Sequence, residues 1–462
     1  MLHYTAMSWL NMPAGLPAHM ASQAVTGKIH ARASSRSVEV RLLTLLIILV
    51  IAIPSSLIFA PLGGAGTPAE VLGYVLLVYW VFRRVAAGPR TRLPLGPVHL
   101  ATLAFIAAIL TSYVAATIRP IVAQEVSAAD RGLLSTLAWL GMIFAAADGP
   151  QDRHALDTVM RRLCLGGGLL ALLGITQFVT KMPLTNYIQI PGLSVNADLS
   201  AIIGRNGLSR PAGTAVHPIE FGAALTTILP IALHYAMVDR HRSMASRWFP
   251  VVAIAVAVPI SISRSAILSA IVALAFLLPT WTRTQRHQAY GSIVVLFGVL
   301  YLFVRGLLGT LTSLFTGIGT DSSAKSRTDS YSVAVDFIKR EPLFGRGFRT
   351  FLPSYRILDN QYLGLLIEVG IVGLVALLTL TFTSIFTSRA VRRGGSDAST
   401  RSLAQALAAS VAASAVSFAL YDAFSFPMAA STFFLVIGCS GALYRLSRAP
   451  APSRLREAIQ AR

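Results

Sequence analysis

The chain has 462 residues, of which 54% are hydrophobic and 13% charged, where soluble domains carry roughly a quarter charged residues. Its apolar residues fall in blocks of about 15 to 25, the length that carries a helix across a ~30 Å hydrocarbon core, which excludes a set of soluble domains and points to a polytopic membrane protein. The net charge of +20 does not argue for nucleic acid as a partner, because most basic residues sit in short loops beside apolar blocks, where membrane topology places them.

In chain order, Met1 to Arg41 is polar and weakly basic and has no apolar signal region, so residues 1–41 read as a disordered cytoplasmic tail. Twelve spans follow, near 42–60, 69–82, 98–116, 133–148, 163–180, 219–238, 248–262, 265–281, 289–309, 361–387, 403–421 and 426–446. The expected fold is therefore all-α, a transmembrane domain of about 12 helices over 42–446, with a second cytoplasmic tail over 447–462. The stretch 248–281 reads either as one interrupted helix or as two short spans, and Ser263-Arg264-Ser265 in its middle favours two. Cys164 and Cys439 both fall inside spans with no pairing motif, so neither a disulfide framework nor a metal site is expected.

With the N-terminus inside, inward segments hold 25 of the 39 Lys and Arg and outward segments 14. That bias follows the positive-inside rule and puts both termini in the cytoplasm. Two outward segments are long, about 181–218 and about 310–360. In the second, Tyr331, Ala334, Val335 and Ile338 recur at helical spacing, and Ser326 and Thr328 are candidate caps. This pattern predicts an amphipathic helix on the outer membrane surface, stopped by Glu341-Pro342 and a turn at Phe344-Gly345-Arg346-Gly347.

Three arginines on the outward side, Arg210, Arg264 and Arg327, stand against the topology rule and point to an anionic ligand. Arg210 at the mouth of the sixth span offers a bidentate fork for phosphate, or snorkels to the interface. His217, followed by Pro218, either opens that span as a structural residue or contributes to the site, and Glu220 partners His217 or Arg210. Arg264 must find either a ligand or a distant acid such as Asp422 or Glu368. Asp359-Asn360 precedes the tenth span, either as a helix cap or with Asn360 orienting a carboxylate or a sugar hydroxyl. Glu368, about 13 Å deeper by helical rise, is expected to face the interior and pair with an outward arginine. No phosphate-binding glycine loop, zinc-ligand pair or serine elbow is present.

Taken in order, these segments resemble the O-antigen ligase and O-antigen polymerase family. The resemblance is carried by Arg210-x-x-Gly-Thr with His217-Pro218, Ser263-Arg264, Ser326-Arg327, Pro342-Leu-Phe-Gly345-x-Gly347, and Asn360-x-Tyr362-Leu363 running into Glu368-x-Gly370. It implies a glycosyltransferase that takes a glycan from a polyprenyl diphosphate carrier and passes it to a lipid, protein or glycan acceptor at the outer face of the bacterial cytoplasmic membrane, without metal or other cofactor. By that resemblance Arg210, Arg264 and Arg327 hold the diphosphate. The residue before the Asn-x-Tyr-Leu segment, often histidine in the family and here Asp359, is the candidate that activates the acceptor hydroxyl. Asn360 and Tyr362 would shape the site and His217 would bind substrate. Ligase and polymerase share the donor and are not separated by sequence. A transporter of the same lipid-linked glycans is the rival class, but such proteins place polar residues near the midplane on several spans, whereas this chain gathers them at one rim.

Overall fold

The computed structural model describes residues 37–87, 94–196, 204–205, 207–316, 322–395 and 397–448. The tails over 1–36 and 449–462 lie outside the described residues, and with them most of the N-terminal tail expected to be disordered; residues 38–41 of that tail instead belong to the first helix. Helices dominate, and their first turns show why they start where they do. Helix α1 (Val38–Ala52) is capped by the Ser37 hydroxyl, α2 (Pro68–Ala86) by Thr67, and α5 (Arg153–Thr180) by Asp152, each accepting a backbone N–H left unpaired at a helix start. Between them run α3 (Pro97–Ile118) and α4 (Ala123–Asp148). The chain continues with α6 (Pro218–Val238), α7 (Met244–Ile260), α8 (Arg264–Leu277) and α9 (Arg283–Phe303), the last opened by a Thr282–Gln285 capping box. Next come α10 (Leu307–Thr316), α11 (Ser322–Arg340), α12 (Gln361–Glu368), α13 (Gly370–Gly394), α14 (Ala398–Ser417) and α15 (Pro427–Arg448).

Each of the twelve expected spans overlaps a helix, the first only over 42–52, since α1 ends at Ala52. The ninth ends at Phe303, turns through Gly306 at φ 82° and re-forms as α10 at a bend of 113°. The tenth is broken at Val369-Gly370, where Gly370 takes φ 71°. Helices α4 and α5 begin about ten residues before their apolar stretches, because charged first turns reach past the hydrocarbon-length segment. Among the described residues five helices, α3, α5, α6, α13 and α15, are long and apolar enough to cross a membrane, and the bent α9–α10 pair qualifies when taken together. The protein is an integral membrane protein. Crossing by the remaining expected spans rests on their hydropathy pattern.

Helices α6 and α15 are central: 83% of the apolar window of each is buried within the protein, against 44–50% for α3, α5 and α13. Around them α4 packs on α15 and α2, α14 on α6, α8 and α13, and α5 on α7. Small residues permit this closeness, as membrane helices without a hydrophobic drive between them require. A Cβ at Gly141 of α4 would lie 2.0 Å from the Gly73 carbonyl oxygen of α2.

Polar contacts sort to two ends of this bundle. At one end Leu57–Ile58 (β1) pairs with Ser194–Val195 (β2), Gly204–Arg205 (β3) pairs with Leu208–Ser209 (β4), and Arg119 and Arg346 both bond Glu125. At the other end Glu39 pairs with Arg83, His99 with Asp148 and Arg161 with Asp239. The first end gathers the segments read as outward, the second those read as inward.

Helix α11 begins at Ser322, ahead of both Ser326 and Thr328, which therefore lie inside the helix rather than cap it. Its apolar stripe also differs from the expected one. Ala334 is fully buried and Phe337 and Ile338 pack with it against Leu358 and Ile367, while Tyr331 and Val335 stay exposed. The helix is thus anchored on one side to the rest of the protein and keeps a second apolar edge outside.

Candidate functional site

The first end of the bundle is assembled around the joint between α7 and α8. Pro259 and Ser261 close the last turn of α7, and Ile262 takes φ 47°, a left-handed conformation that an isoleucine adopts only where its surroundings enforce it. Ser263 then caps α8, its hydroxyl accepting the Ala266 N–H at 3.5 Å and lying 2.8 Å from the Ser265 hydroxyl. Arg264 is the first residue of that helix. The joint thus presents a guanidinium together with the positive end of a helix dipole. Arg210 comes to the same joint from the long loop: it is 8% exposed, and its Nε donates to the Ser261 carbonyl at 3.1 Å.

His217 lies beside Arg210 as the cap of α6. Its Nδ1 accepts the Ile219 N–H at 3.1 Å, which fixes the neutral tautomer and leaves Nε2–H as a donor. Burial, and secondarily the Arg210 charge, push its pKa down to about 4, so the ring is neutral at pH 7. Glu220, one turn further on, has a task that the expected pairing with His217 or Arg210 did not include. Its fully buried carboxylate accepts the Met428 N–H at 2.6 Å, the Val216 N–H at 2.7 Å and the Ser55 hydroxyl at 3.2 Å. It caps α15 from another helix and ties the Arg210–His217 loop to it.

The second half of the site is the segment entering α12. Asn360 is the cap, its Oδ1 accepting the Leu363 N–H at 3.1 Å. Gln361 donates its backbone N–H to the Phe418 carbonyl at 2.8 Å and accepts the Phe424 N–H at 2.7 Å on its side-chain oxygen. Tyr362 turns its hydroxyl away to the Ala415 carbonyl at 2.6 Å. Asp359, half-buried, acts electrostatically on Asp422, in the loop 418–426 between α14 and α15. Burial, with Asp359 adding to it, raises the Asp422 carboxyl above its usual range against the opposing Ser425 bond and Arg349 charge.

Loop 418–426 joins the two halves. Tyr421, next to Asp422, has its ring 5.6 Å from Phe426, and Phe426 lies 6.1 Å from the His217 ring. Arg349 donates to the Phe424 carbonyl from the far side and acts electrostatically on Glu368, whose carboxylate accepts the Phe351 N–H at 3.4 Å. Glu368 makes no ion pair with an arginine among the described residues; it lies within electrostatic reach of both Asp422 and Arg349. Nothing in the sequence marked this loop as a hub, although Asp422 is its one acidic residue.

The break between α12 and α13 is filled by the turn at Pro342–Gly347. Arg346 N–H donates to the Ile367 carbonyl at 3.0 Å, Gly347 N–H to Glu368 at 2.9 Å, and Ile371 N–H back to Pro342 at 2.9 Å. A Cβ at Gly345 would lie 2.3 Å from the Glu368 carbonyl carbon, and one at Gly370 2.2 Å from the Leu343 oxygen. Arg346 itself is committed to structure, bonded to Glu125 and set against the Phe337 and Tyr355 rings at 4.9 and 5.0 Å. Arg327 falls on α11, but its side chain lies outside the described residues. Among the described residues no group of three or more His, Cys, Asp or Glu is placed to hold a metal ion.

Fold and site together define a helical integral membrane protein with an arginine-bearing polar site at one end of its bundle. Residues 249–378 match the family model described as O-antigen ligase, a similarity that covers this segment of the chain. The match runs from α7 into α13 and includes Arg264, Arg327, Asp359, Asn360 and Tyr362, while Arg210 and His217 lie before it. No curated protein compared with the chain matches it.

Proposed function

We propose that the protein is an inverting glycosyltransferase that moves a glycan from a polyprenyl diphosphate carrier to an acceptor hydroxyl at the outer face of the bacterial cytoplasmic membrane, with both termini inside. The observation that carries this reading is the meeting of Arg210 and Arg264 at the α7–α8 joint, linked through His217, Phe426 and Tyr421 to Asp422 beside Asp359. In the reaction the acceptor oxygen forms a bond to the anomeric carbon from the face opposite the carrier, and the bond from that carbon to the diphosphate oxygen breaks. The electron pair leaves with the diphosphate, where the permanently charged guanidinium groups of Arg210 and Arg264, with Arg327, offset the developing charge. The neutral His217 donates from Nε2 to a phosphate or sugar oxygen. Asp359 receives the acceptor proton. Asn360 and Tyr362 keep the segment in place.

Purified protein given a labelled carrier-linked donor and candidate acceptors tests this reading. Arg264→Ala is expected to lower transfer about 100- to 1000-fold, the cost of removing a transition-state charge partner, while protein abundance stays normal. Full surface-glycan production by that variant in a complementation assay would refute the assignment. The alternative within the class is a polymerase that uses a second carrier-linked unit as acceptor. Single-unit chains in a deletion strain would select it, and complete loss of chains from the acceptor would select the ligase. Movement of donor across a bilayer without any new glycosidic bond would select a flippase.

A further inference from the structure

At the end of the bundle opposite this site, a cavity of about 780 Å³ opens between the last turns of α6, α8 and α13 and the first turns of α9 and α14. Four arginines line it: Arg389, Arg392 and Arg393 from α13, and Arg401 from α14. Two of them are held by neutral groups. Arg392 donates to the Gln405 side-chain oxygen at 2.8 Å, Gln405 donates in turn to the Phe276 carbonyl, and Arg389 lies over the Phe276 ring at 5.5 Å. Among the described residues none of the four is paired with a carboxylate. Asp397, the nearest acid in sequence, caps α14 through the Thr400 N–H at 2.7 Å.

Arginine excess at a cytoplasmic rim satisfies topology by itself, but topology needs neither a cavity nor a scaffold. Here four like charges converge on one concave space, within the ~300–1,000 Å³ range of ligand pockets, and their repulsion is relieved by an anion with several oxygens. The remaining wall is apolar, with Val238, Leu277 and Trp281. Trp281 stands at the turn between α8 and α9, the level at which aromatic side chains gather at a membrane interface. A phosphate with a hydrocarbon tail matches both walls, whereas a free phosphate matches only the first.

We propose that this cavity binds the headgroup of an anionic phospholipid of the surrounding leaflet, its phosphate among the four arginines and its acyl chains along the apolar wall. The site is separate from the proposed reaction centre and stands whether or not that reading holds. Native mass spectrometry of the detergent-purified full chain, titrated with cardiolipin, phosphatidylcholine or inorganic phosphate, tests it. Cardiolipin is expected to bind at least about tenfold more tightly than phosphatidylcholine, and the variant R393Q/R401Q to lose about thirtyfold in cardiolipin affinity, the effect of two interfacial charges. The control R41Q/R448Q, which removes two exposed charges that do not line the cavity, is expected to keep it. Equal loss in both variants, or no preference over phosphatidylcholine, overturns the proposal. Displacement of cardiolipin by an equal concentration of inorganic phosphate overturns the lipid assignment in favour of a free-phosphate site. Should the double variant not fold, R393Q and R401Q singly, each expected to lose about fivefold, decide the same question.

Discussion

His217 shows how much a single side chain owes to its surroundings. In the unfolded chain its imidazole takes up a proton near pH 6.5, and in the folded protein only near pH 4. Between those values the unfolded state binds more protons, so stability falls as pH is lowered from about 6.5 to about 4 and levels off below that. His217→Asn keeps a capping side chain while removing the titration. It is expected to reduce the slope of thermal stability against pH in that window and to leave stability at pH 7.5 little changed; an unaltered slope would show that other groups carry it. At this scale the sequence was partly legible. The Arg210, Arg264 and Asp359 positions stood out because charge beside apolar blocks is rare. The capping task of Glu220 did not, because its main partner, Met428, lies more than two hundred residues away. Asp422 stood out only as a possible partner of Arg264; its nearness to Asp359, which arrives on the segment entering α12, was not visible.

Among the elements, the broken helix α12–α13 and the turn that fills it form one unit. A helix break inside a membrane protein exposes carbonyls and N–H groups that lipid cannot satisfy. The Pro342–Gly347 turn supplies partners for several of them by backbone alone. That demands close approach, which is why Gly345 and Gly370 both sit at positive φ with backbone where a Cβ would go. Gly370→Ala is expected to destabilise by more than about 2 kcal/mol, combining left-handed strain with a steric clash. A melting temperature in detergent equal to that of the parent would contradict this account. Hydropathy missed the break because Val369-Gly370-Ile371 continues an apolar run, and it missed the 113° bend after α9 for the same reason. Both landmarks, Pro-Leu-Phe-Gly-x-Gly and Glu-x-Gly, were visible in the sequence, but their contact with each other was not.

For the molecule as a whole, the helix order and the separation of polar segments into two ends were legible from hydropathy and charge, because insertion into a bilayer imposes both on the sequence directly. Which end faces outward is a proposal with a direct test. Cys164 and Cys439 are both buried and unpaired, so the parent chain is expected to resist a membrane-impermeant maleimide. Gly192→Cys in the exposed loop at the site end should label in intact cells, and Arg240→Cys at the other end only after the membrane is permeabilised. The reverse pattern would invert the topology and place the proposed reaction in the cytoplasm.

The central helix α6 carries His217 at its first turn and reaches the basic cavity at its last. Its 21 residues span roughly 32 Å by helical rise, close to the ~30 Å of an average hydrocarbon core. The protein therefore has a built-in gauge of bilayer thickness. Reconstitution into lipids with markedly shorter or longer acyl chains must tilt this helix or deform the bilayer around it, and in the proposed reaction either response would shift the depth at which the arginines meet the donor. Transfer measured across a series of chain lengths is expected to peak near the matched thickness, and a flat profile would show that the two ends move independently.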